Sequence, residues 1–416
     1  MSEPSHFGRI AAAFRQPNYR IFQTGSVVSL IGIWTHRVAS GWLTWELTGS
    51  GAWLGLMAFA DLFPSFLLTP FGGVLADRMD RRKMFFITQA IQMAIAAMIA
   101  TLAVTGTIDI WSLFALTLAN GLVTAVNTGV RLTMVPNLVA REHLTAAVAL
   151  DATLFNLARF VGPAIAGVII LKLGVSAAFV FNALSFTAFL FVLTRIRFVR
   201  NEVPARPTGS VLSQFVDGVR YALRHPGIAP MLLALVAAAI GLKPYIELLA
   251  GFADVVFHRG PEALSMMMSG TGVGAVVGAV WLAQRGMVTG LALITVCGLV
   301  IGGAGLLVFT ATDMFWLAVP MTLVVGFAMQ ICGTSTQTLM QASVEGPMRG
   351  RVMSLYGMIF RGAPAAGALA MGTLSEHFGL RAPVAAGGIL CLAIALYTLP
   401  RLPRIRAAIE ASTKPT

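Results

Sequence analysis

The sequence predicts an all-α polytopic membrane protein, with twelve spanning helices in two bundles of six. Three observations carry that prediction. Of the 416 residues, 57% are hydrophobic and only 11% charged, whereas a soluble globular protein carries roughly 25% charged residues. The apolar residues form continuous runs near the ~20 residues a spanning helix needs, not the alternation of a membrane barrel strand. Finally, a long stretch of the first half returns in the second.

In chain order, the apolar runs of the first half cover 21–46, 52–75, 84–105, 111–138, 145–172 and 176–194. Those of the second half cover 229–252, 262–283, 288–310, 314–340, 352–373 and 382–400. Most connections are short. The exception is 195–228, where a basic segment "RIRFVRNEVPARPTGS" precedes the amphipathic "SQFVDGVRYALRHP", a pattern suited to the membrane surface. The expected organisation is an N-terminal six-helix bundle (1–194), a cytoplasmic linker (195–228), and a C-terminal bundle with a short cytoplasmic tail (229–416).

Lysine and arginine placement sets the orientation, because cytoplasmic loops carry the excess. With the N-terminus inside, the inner segments take Arg9, Arg15, Arg20, the knot from Arg78 to Lys83, Arg141, the linker, Arg285, Arg349, Arg351 and "RLPRIR". The outer segments keep Arg259, Arg381 and Lys172. The net charge of +12 is therefore a topology signal. Nucleic-acid binding would require a basic face on a soluble domain. The expected location is the inner (cytoplasmic) membrane, with both termini cytoplasmic and the first helix uncleaved.

At one constant shift, "VAREHLTAAVALDATLFNLARFVGPAIAGVIILKLG" lies over "VEGPMRGRVMSLYGMIFRGAPAAGALAMGTLSEHFG". Val139 falls on Val344, Leu150 on Leu355 and Phe155 on Phe360. Gly162, Gly167 and Gly174 fall on Gly367, Gly372 and Gly379. Pro17 similarly precedes the first span and Pro226 the seventh. Six spans per half make this a parallel repeat, a transporter pattern with its substrate site expected between the halves.

The loop between spans two and three, within "GGVLADRMDRRK", is dense in charge. Gly73, Asp77, Arg78, Arg81, Arg82 and Lys83 resemble the signature loop of the major facilitator superfamily, G-x-x-x-D-[RK]-x-G-x-[RK]-[RK], with Asp80 in place of its glycine. The D-R-R variant, with "LTGSGAWLGL", "RFVGPAIAGVII" and "RGRVMSLY", resembles the branch of transmembrane secretion effectors, which includes drug and enterobactin exporters. That resemblance covers nearly the whole chain. It implies the major facilitator fold, and a latch in which Asp77 faces the start of span eleven. A carboxylate at a helix N-terminus gains up to ~2 kcal/mol when partly buried. The alternative role of the knot is a plain topology marker. Arg131, at the cytoplasmic end of span four, is expected to brace the latch, with substrate binding as its alternative role.

Charges within spans are costly, ~2.5–3.5 kcal/mol at the bilayer centre, and so mark functional candidates. Asp61, mid-span in "LMAFADLFPSF", is the first candidate proton carrier, since an apolar setting favours a protonated carboxyl. Its alternative is permanent pairing with Arg37. Lys243 and Glu247, four apart on span seven, share one helical face. Either they form a structural pair, or Glu247 is a second proton-coupling group with Lys243 in the cavity. Arg159 and Arg361 flank "VGPAIAG" and "RGAPAAG", whose small residues permit close helix approach. They either meet an anionic substrate group or pair with acids such as Asp151. His36 is expected to make a polar contact, and Met266 to Met268 to provide adaptable packing. Cys297, Cys332 and Cys391 read as small buried residues, and the 26 phenylalanines and seven tryptophans as mostly lipid-facing or interfacial.

No nucleotide-binding P-loop, HExxH, GxSxG or Cys/His cluster occurs in the sequence, so neither an enzyme, a cofactor nor a metal site is expected. The expectation is a secondary active transporter exporting a small amphipathic compound (a drug, secondary metabolite or siderophore) by proton-coupled alternating access. Its partners are the substrate, protons and membrane lipids, and it acts as a monomer. Two alternatives stand beside it: a lipid or lysophospholipid flippase without proton coupling, and a transport-dead sensor or scaffold.

Overall fold

The computed structural model describes residues 14–78, 81–134, 138–196, 211–344 and 346–409. Among the described residues the chain is helical, with no strand. The first half comprises α1 (Pro17–Thr48), α2 (Gly51–Arg78), α3 (Arg81–Val104), α4 (Ile110–Met134), α5 (Leu144–Leu173) and α6 (Val175–Thr194). Helix α7 (Val211–Arg224) follows. The second half runs through α8 (Ile228–Val256), α9 (Pro261–Arg285), α10 (Leu291–Ala311), α11 (Phe315–Ser343), α12 (Gly346–Phe378), α13 (Arg381–Thr398) and the short α14 (Leu402–Ile409).

Ten helical segments among the described residues are long and apolar enough to cross a membrane. Helices α1 and α12, at 32 and 33 residues, complete the twelve. They are diluted by Arg20, His36, Arg37 and Glu46 in α1, and by Arg349, Arg351, Arg361 and Glu376 in α12. Between α5 and α6 the chain turns on Gly174 with φ 83° and ψ 167°, a region essentially confined to glycine.

Helix α8 is irregular for an identifiable reason. Pro244 has no amide hydrogen to return to the carbonyl four residues back. The ladder widens ahead of it, with the Lys243 amide bonding the Ala238 carbonyl at 3.1 Å. Residues Ala238–Leu242 are π-helical, α-helix resumes at Tyr245–Gly251, and a second π-helical stretch covers Phe252–Val256. Such stretches are rare and concentrate at functional positions.

The chain forms two compact units. One comprises Met1–Thr48, Phe63–Ala205 and Pro261–Ser269; the other comprises Gly49–Leu62, Arg206–Gly260 and Gly270–Thr416. Each therefore takes one short segment from the opposite half of the repeat. In the first unit Phe22, Phe85 and Phe189 pack with ring centroids 5.7–6.2 Å apart. Buried Tyr19 donates its hydroxyl to the Ala147 carbonyl at 2.7 Å. In the second, Phe309 sits among Tyr245, Phe252 and Phe257 at 4.9–6.0 Å.

Six phenylalanines depart from the lipid-facing expectation: Phe22, Phe85, Phe179, Phe189, Phe252 and Phe309 are fully buried. Cys297 corrects the cysteine expectation in the opposite direction, being exposed while Cys332 and Cys391 are buried. On a spanning helix both the lipid face and the core face are apolar, so the sequence pattern does not separate them. The C-terminal tail is helical at α14, which buries Leu402, Ile405 and Ile409.

Candidate functional site

The repeat-related glycines of α5 and α12 organise the site. In the first unit Gly162 lets α5 close on α1: a Cβ there would stand 2.4 Å from Trp34 Cβ. Thr35 on the same helix donates its hydroxyl to the Gly162 carbonyl at 3.2 Å. This approach brings α5 side chains to Trp34. Phe155 meets the indole edge-on, with centroids 6.2 Å apart. The guanidinium carbons of Arg37 and Arg159 each lie 5.7 Å from the indole centre. Two cations thus share one aromatic ring, each within the range of a cation–π contact. Beside them, His36 Nε2 lies 3.2 Å from Ser40 Oγ, and its ring meets Phe179 edge-on.

In the second unit Gly367 does for α12 and α8 what Gly162 does for α5 and α1. A Cβ there would stand 2.6 Å from Pro244 Cγ and 2.8 Å from the Ile240 carbonyl oxygen. Lys243 stands as far along from Pro226 as Trp34 does from Pro17. Its ammonium lies 3.0 Å from the Phe360 ring centre and donates to the Phe360 carbonyl at 3.0 Å. Tyr356 stacks on Phe360 at 5.5 Å and donates its hydroxyl to the Gly333 carbonyl at 3.1 Å. Arg361 follows on the exposed side of α12. Lys243 follows directly on the π-helical stretch Ala238–Leu242, and its ammonium is directed to Phe360.

Asp61 is half-buried in α2 and Glu247 half-buried in α8. Both fall in the second unit, whereas Arg37 falls in the first. Asp151 bonds Arg131, with Nη2 to Oδ1 at 3.2 Å; the same nitrogen donates to Ser26 Oγ at 3.0 Å. Arg131 thereby ties α4 to α5 and α1. Of the charged loop, the side chains of Gly73, Asp77, Arg78, Arg81 and Arg82 lie outside the described residues, and Lys83 is exposed. Among the described residues no three His, Cys, Asp or Glu side chains gather as metal ligands.

Three features escaped the sequence reading. The indole of Trp34 is the surface on which both arginines converge, but an uncharged ring in an apolar run gives no signal. The irregular α8 was signalled only by Pro244. The third is a contact at the start of α2. Ser50 Oγ and the Ala52 amide donate to Glu376 Oε1 at 2.7 and 3.0 Å, while Ser50 Oγ accepts from the Trp53 amide at 3.2 Å. These bonds satisfy amides that a helix start leaves open. The Ala52 amide first, then Ser50, holds the Glu376 carboxyl below its ordinary range. Gly51 and Gly55 allow the approach: a Cβ on Gly372 would stand 2.4 Å from the Gly51 carbonyl oxygen. In the first unit, Gly167 of α5 similarly faces Ser265 at the start of α9, where a Cβ would stand 2.8 Å from Ser265 Cβ. The "TGSG" ahead of α2 was a readable cap, but its carboxylate partner lies far along the chain.

The family profile described as transmembrane secretion effector matches residues 9–415. The chain is 23% identical over 391 residues to the staphyloferrin A transporter of Staphylococcus aureus, covering 93% of this chain and 97% of the relative. It is 24% identical to the multidrug efflux pump Tap of Mycolicibacterium fortuitum, covering 89% and 93%. With the enterobactin exporter EntS of Citrobacter koseri it shares 23% identity, covering 86% and 82%. Among solved structures, a peptide transporter POT mutant with alafosfalin superposes with a TM-score of 0.74 at 15% identity, covering 96% of this chain and 99% of that one. A bacterial homologue of the lysosomal transporter Spinster, inward-facing and unoccupied, gives 0.67 at 13%, covering all of both chains.

Proposed function

The chain belongs to the transmembrane secretion effector family of major facilitator transporters, and from that premise we propose proton-coupled export of a small amphipathic compound bearing an acidic group. That it is a multi-pass secondary transporter of small compounds, and not an enzyme, follows from the family and its relatives. The finer reading rests mainly on one observation: each unit sets a cation on an aromatic ring inside the spanning helices, Arg37 and Arg159 on Trp34 and Lys243 on Phe360. Rings offer contact area to the apolar body of a ligand, and the cations offer it an anion partner. In this reading Arg361 extends the second cluster. Relatives named for staphyloferrin A, enterobactin and multiple drugs support a small compound as the cargo.

Asp61 is the principal proton carrier and Glu247 the second, on the ground that half-buried acids in spanning helices exchange protons between settings of different polarity. The linear division stays part of the proposal, with bundles at 1–194 and 229–416 joined by the linker 195–228. So do inner-membrane placement, cytoplasmic termini, the monomeric state and alternating access. Asp77, with Gly73, Arg78, Arg81, Arg82, Lys83 and Arg131, forms a cytoplasmic latch in this reading.

The test is proton movement in liposomes holding the purified chain under an imposed pH gradient. Siderophores, macrolides and lysophospholipids are added in turn, with Asp61→Asn alongside. A compound that moves protons through wild type and not the variant supports the reading and names its class. Passage of a labelled lysophospholipid without proton movement replaces it with a flippase.

A further inference from the structure

Helix α7 presents two unlike faces. On one, Asp217 Oδ2 accepts from Arg351 Nη1 of α12 at 3.1 Å. A Cβ on Gly218 would stand 3.0 Å from Arg351 Cβ, and Ala222 is fully buried. On the other, Val216, Val219, Arg220, Leu223 and Arg224 line a groove of about 390 Å³. Val216 is 46% and Leu223 68% exposed. The spacing of these five residues is one stripe of a helix, three apolar side chains with two guanidiniums four positions apart. Only His225, Pro226 and Gly227 separate α7 from the spanning helix α8.

We propose that this groove seats an anionic membrane phospholipid, with Arg220 and Arg224 bonding its phosphate and Val216, Val219 and Leu223 covering the glycerol and upper acyl chain. Three points select that occupant. A guanidinium pair suits phosphate oxygens, which accept two parallel hydrogen bonds from each fork. Arginine stems lie along apolar surface while their heads reach the headgroup layer. The apolar members exclude a plain soluble anion as the intended ligand, because inorganic phosphate would gain nothing from Val216 or Leu223. The adjoining span holds the helix at bilayer level, where phospholipid is the abundant amphiphile. The inference rests on the membrane reading of the chain and not on proton coupling or on substrate identity.

The groove is tied to a spanning helix. Gly218 and Asp217 fasten α7 to Arg351, the residue immediately before the apolar run of α12. A phospholipid that pins α7 therefore biases α12, and the anionic lipid content of the bilayer regulates the transporter through Asp217–Arg351.

The experiment titrates short-chain phosphatidylglycerol, phosphatidylcholine and inorganic phosphate into the purified full chain, with lipid adducts counted by native mass spectrometry. Wild type is expected to prefer phosphatidylglycerol at least tenfold over phosphatidylcholine. In R220Q/R224Q that preference is lost, in R220K/R224K it is partly kept, and in V216S/L223S the phosphatidylglycerol affinity also falls. Hydrogen exchange of α12 should slow on adding phosphatidylglycerol in wild type, and not in D217N, which still binds the lipid. Thermal melts identify any variant that fails to fold; R220K/R224K, which keeps both charges and stems, then carries the comparison. Unchanged preference in R220Q/R224Q overturns the proposal. So does displacement of the lipid by inorganic phosphate at equal concentration, which would leave an anion site. A groove-dependent dimer in the same spectra would assign the face to a second copy instead.

Discussion

Helix α5 in the first unit and α12 in the second descend from the same stretch of the repeat, and they build the same corner with different chemistry. Each uses one glycine to close on the first helix of its half, Gly162 on Trp34 and Gly367 on Pro244. Each places the repeat-related phenylalanine, Phe155 or Phe360, at that junction. The charges differ: two guanidiniums share an indole in one corner, and a single ammonium caps a phenyl ring in the other. The second glycine of each helix also diverges. Gly167 meets a serine side chain, whereas Gly372 meets the backbone of Gly51 and Gly55. The repeat thus keeps backbone approach and leaves the polar groups to vary, as expected if close helix contact is the shared framework and the charged groups serve the ligand.

The sharpest test of the shared framework compares the second glycines. Gly372→Ala places a methyl 2.4 Å from the Gly51 carbonyl oxygen and 2.9 Å from Gly55 Cα, atoms that move only with their helix. Overpacking of this kind costs typically 1–3 kcal/mol, and Gly372→Ala is expected at the upper end. Gly167→Ala meets Ser265 Cβ at 2.8 Å and its hydroxyl at 3.0 Å, a looser contact with a smaller loss. Thermal melting of the detergent-purified variants measures both. Equal losses would show that the two contacts are equally rigid and erase the asymmetry.

A smaller effect separates the two charged corners. Lys243→Met removes an ammonium that is held by both a ring and a carbonyl, and a desolvated contact of this type contributes up to about 2 kcal/mol. Arg159→Gln removes one of two like charges on Trp34, so the lost attraction is offset by relieved repulsion and Arg37 keeps the ring. Its expected cost is within about 0.5 kcal/mol, while Arg37→Gln/Arg159→Gln together cost more than the sum of the singles. The four melting temperatures decide this. Additive arginine losses as large as that of Lys243→Met would mean the indole holds each guanidinium independently.

How much of this was readable follows from what each residue signals in isolation. The spans were legible because an apolar run of that length has few other uses, and the helices end within a few residues of the expected boundaries. Arg37, Arg159, Lys243 and Arg361 stood out as candidates because charge inside a span is expensive wherever it points. Trp34 did not, because a ring in an apolar run is compatible with lipid, core or ligand alike. The same ambiguity sent exposed Cys297 to the core. Glu376 was passed over because it stands beyond the apolar run, where acids are common. Only the fold brings it to Ser50.

That contact supplies the last and smallest distinction between α5 and α12. At the repeat position of Glu376 the first half has Leu171, which does not titrate. The acid response of the two contacts should therefore differ. The Glu376 carboxyl is held below its ordinary value by bonds from Ala52 and Ser50. A depressed carboxyl favours the folded state above its unfolded value, and that contribution is lost as pH falls through the lower folded value. Wild type should accordingly lose stability on acidification below the ordinary glutamate range, and Glu376→Gln should lack that portion of the loss. The size is expected below about 1 kcal/mol, because the carboxylate is largely solvated and screened. Melting curves from neutral pH down to the acid limit of the detergent complex test it. A Glu376→Gln curve parallel to wild type throughout would place the acid response elsewhere and leave the two helices alike in this respect.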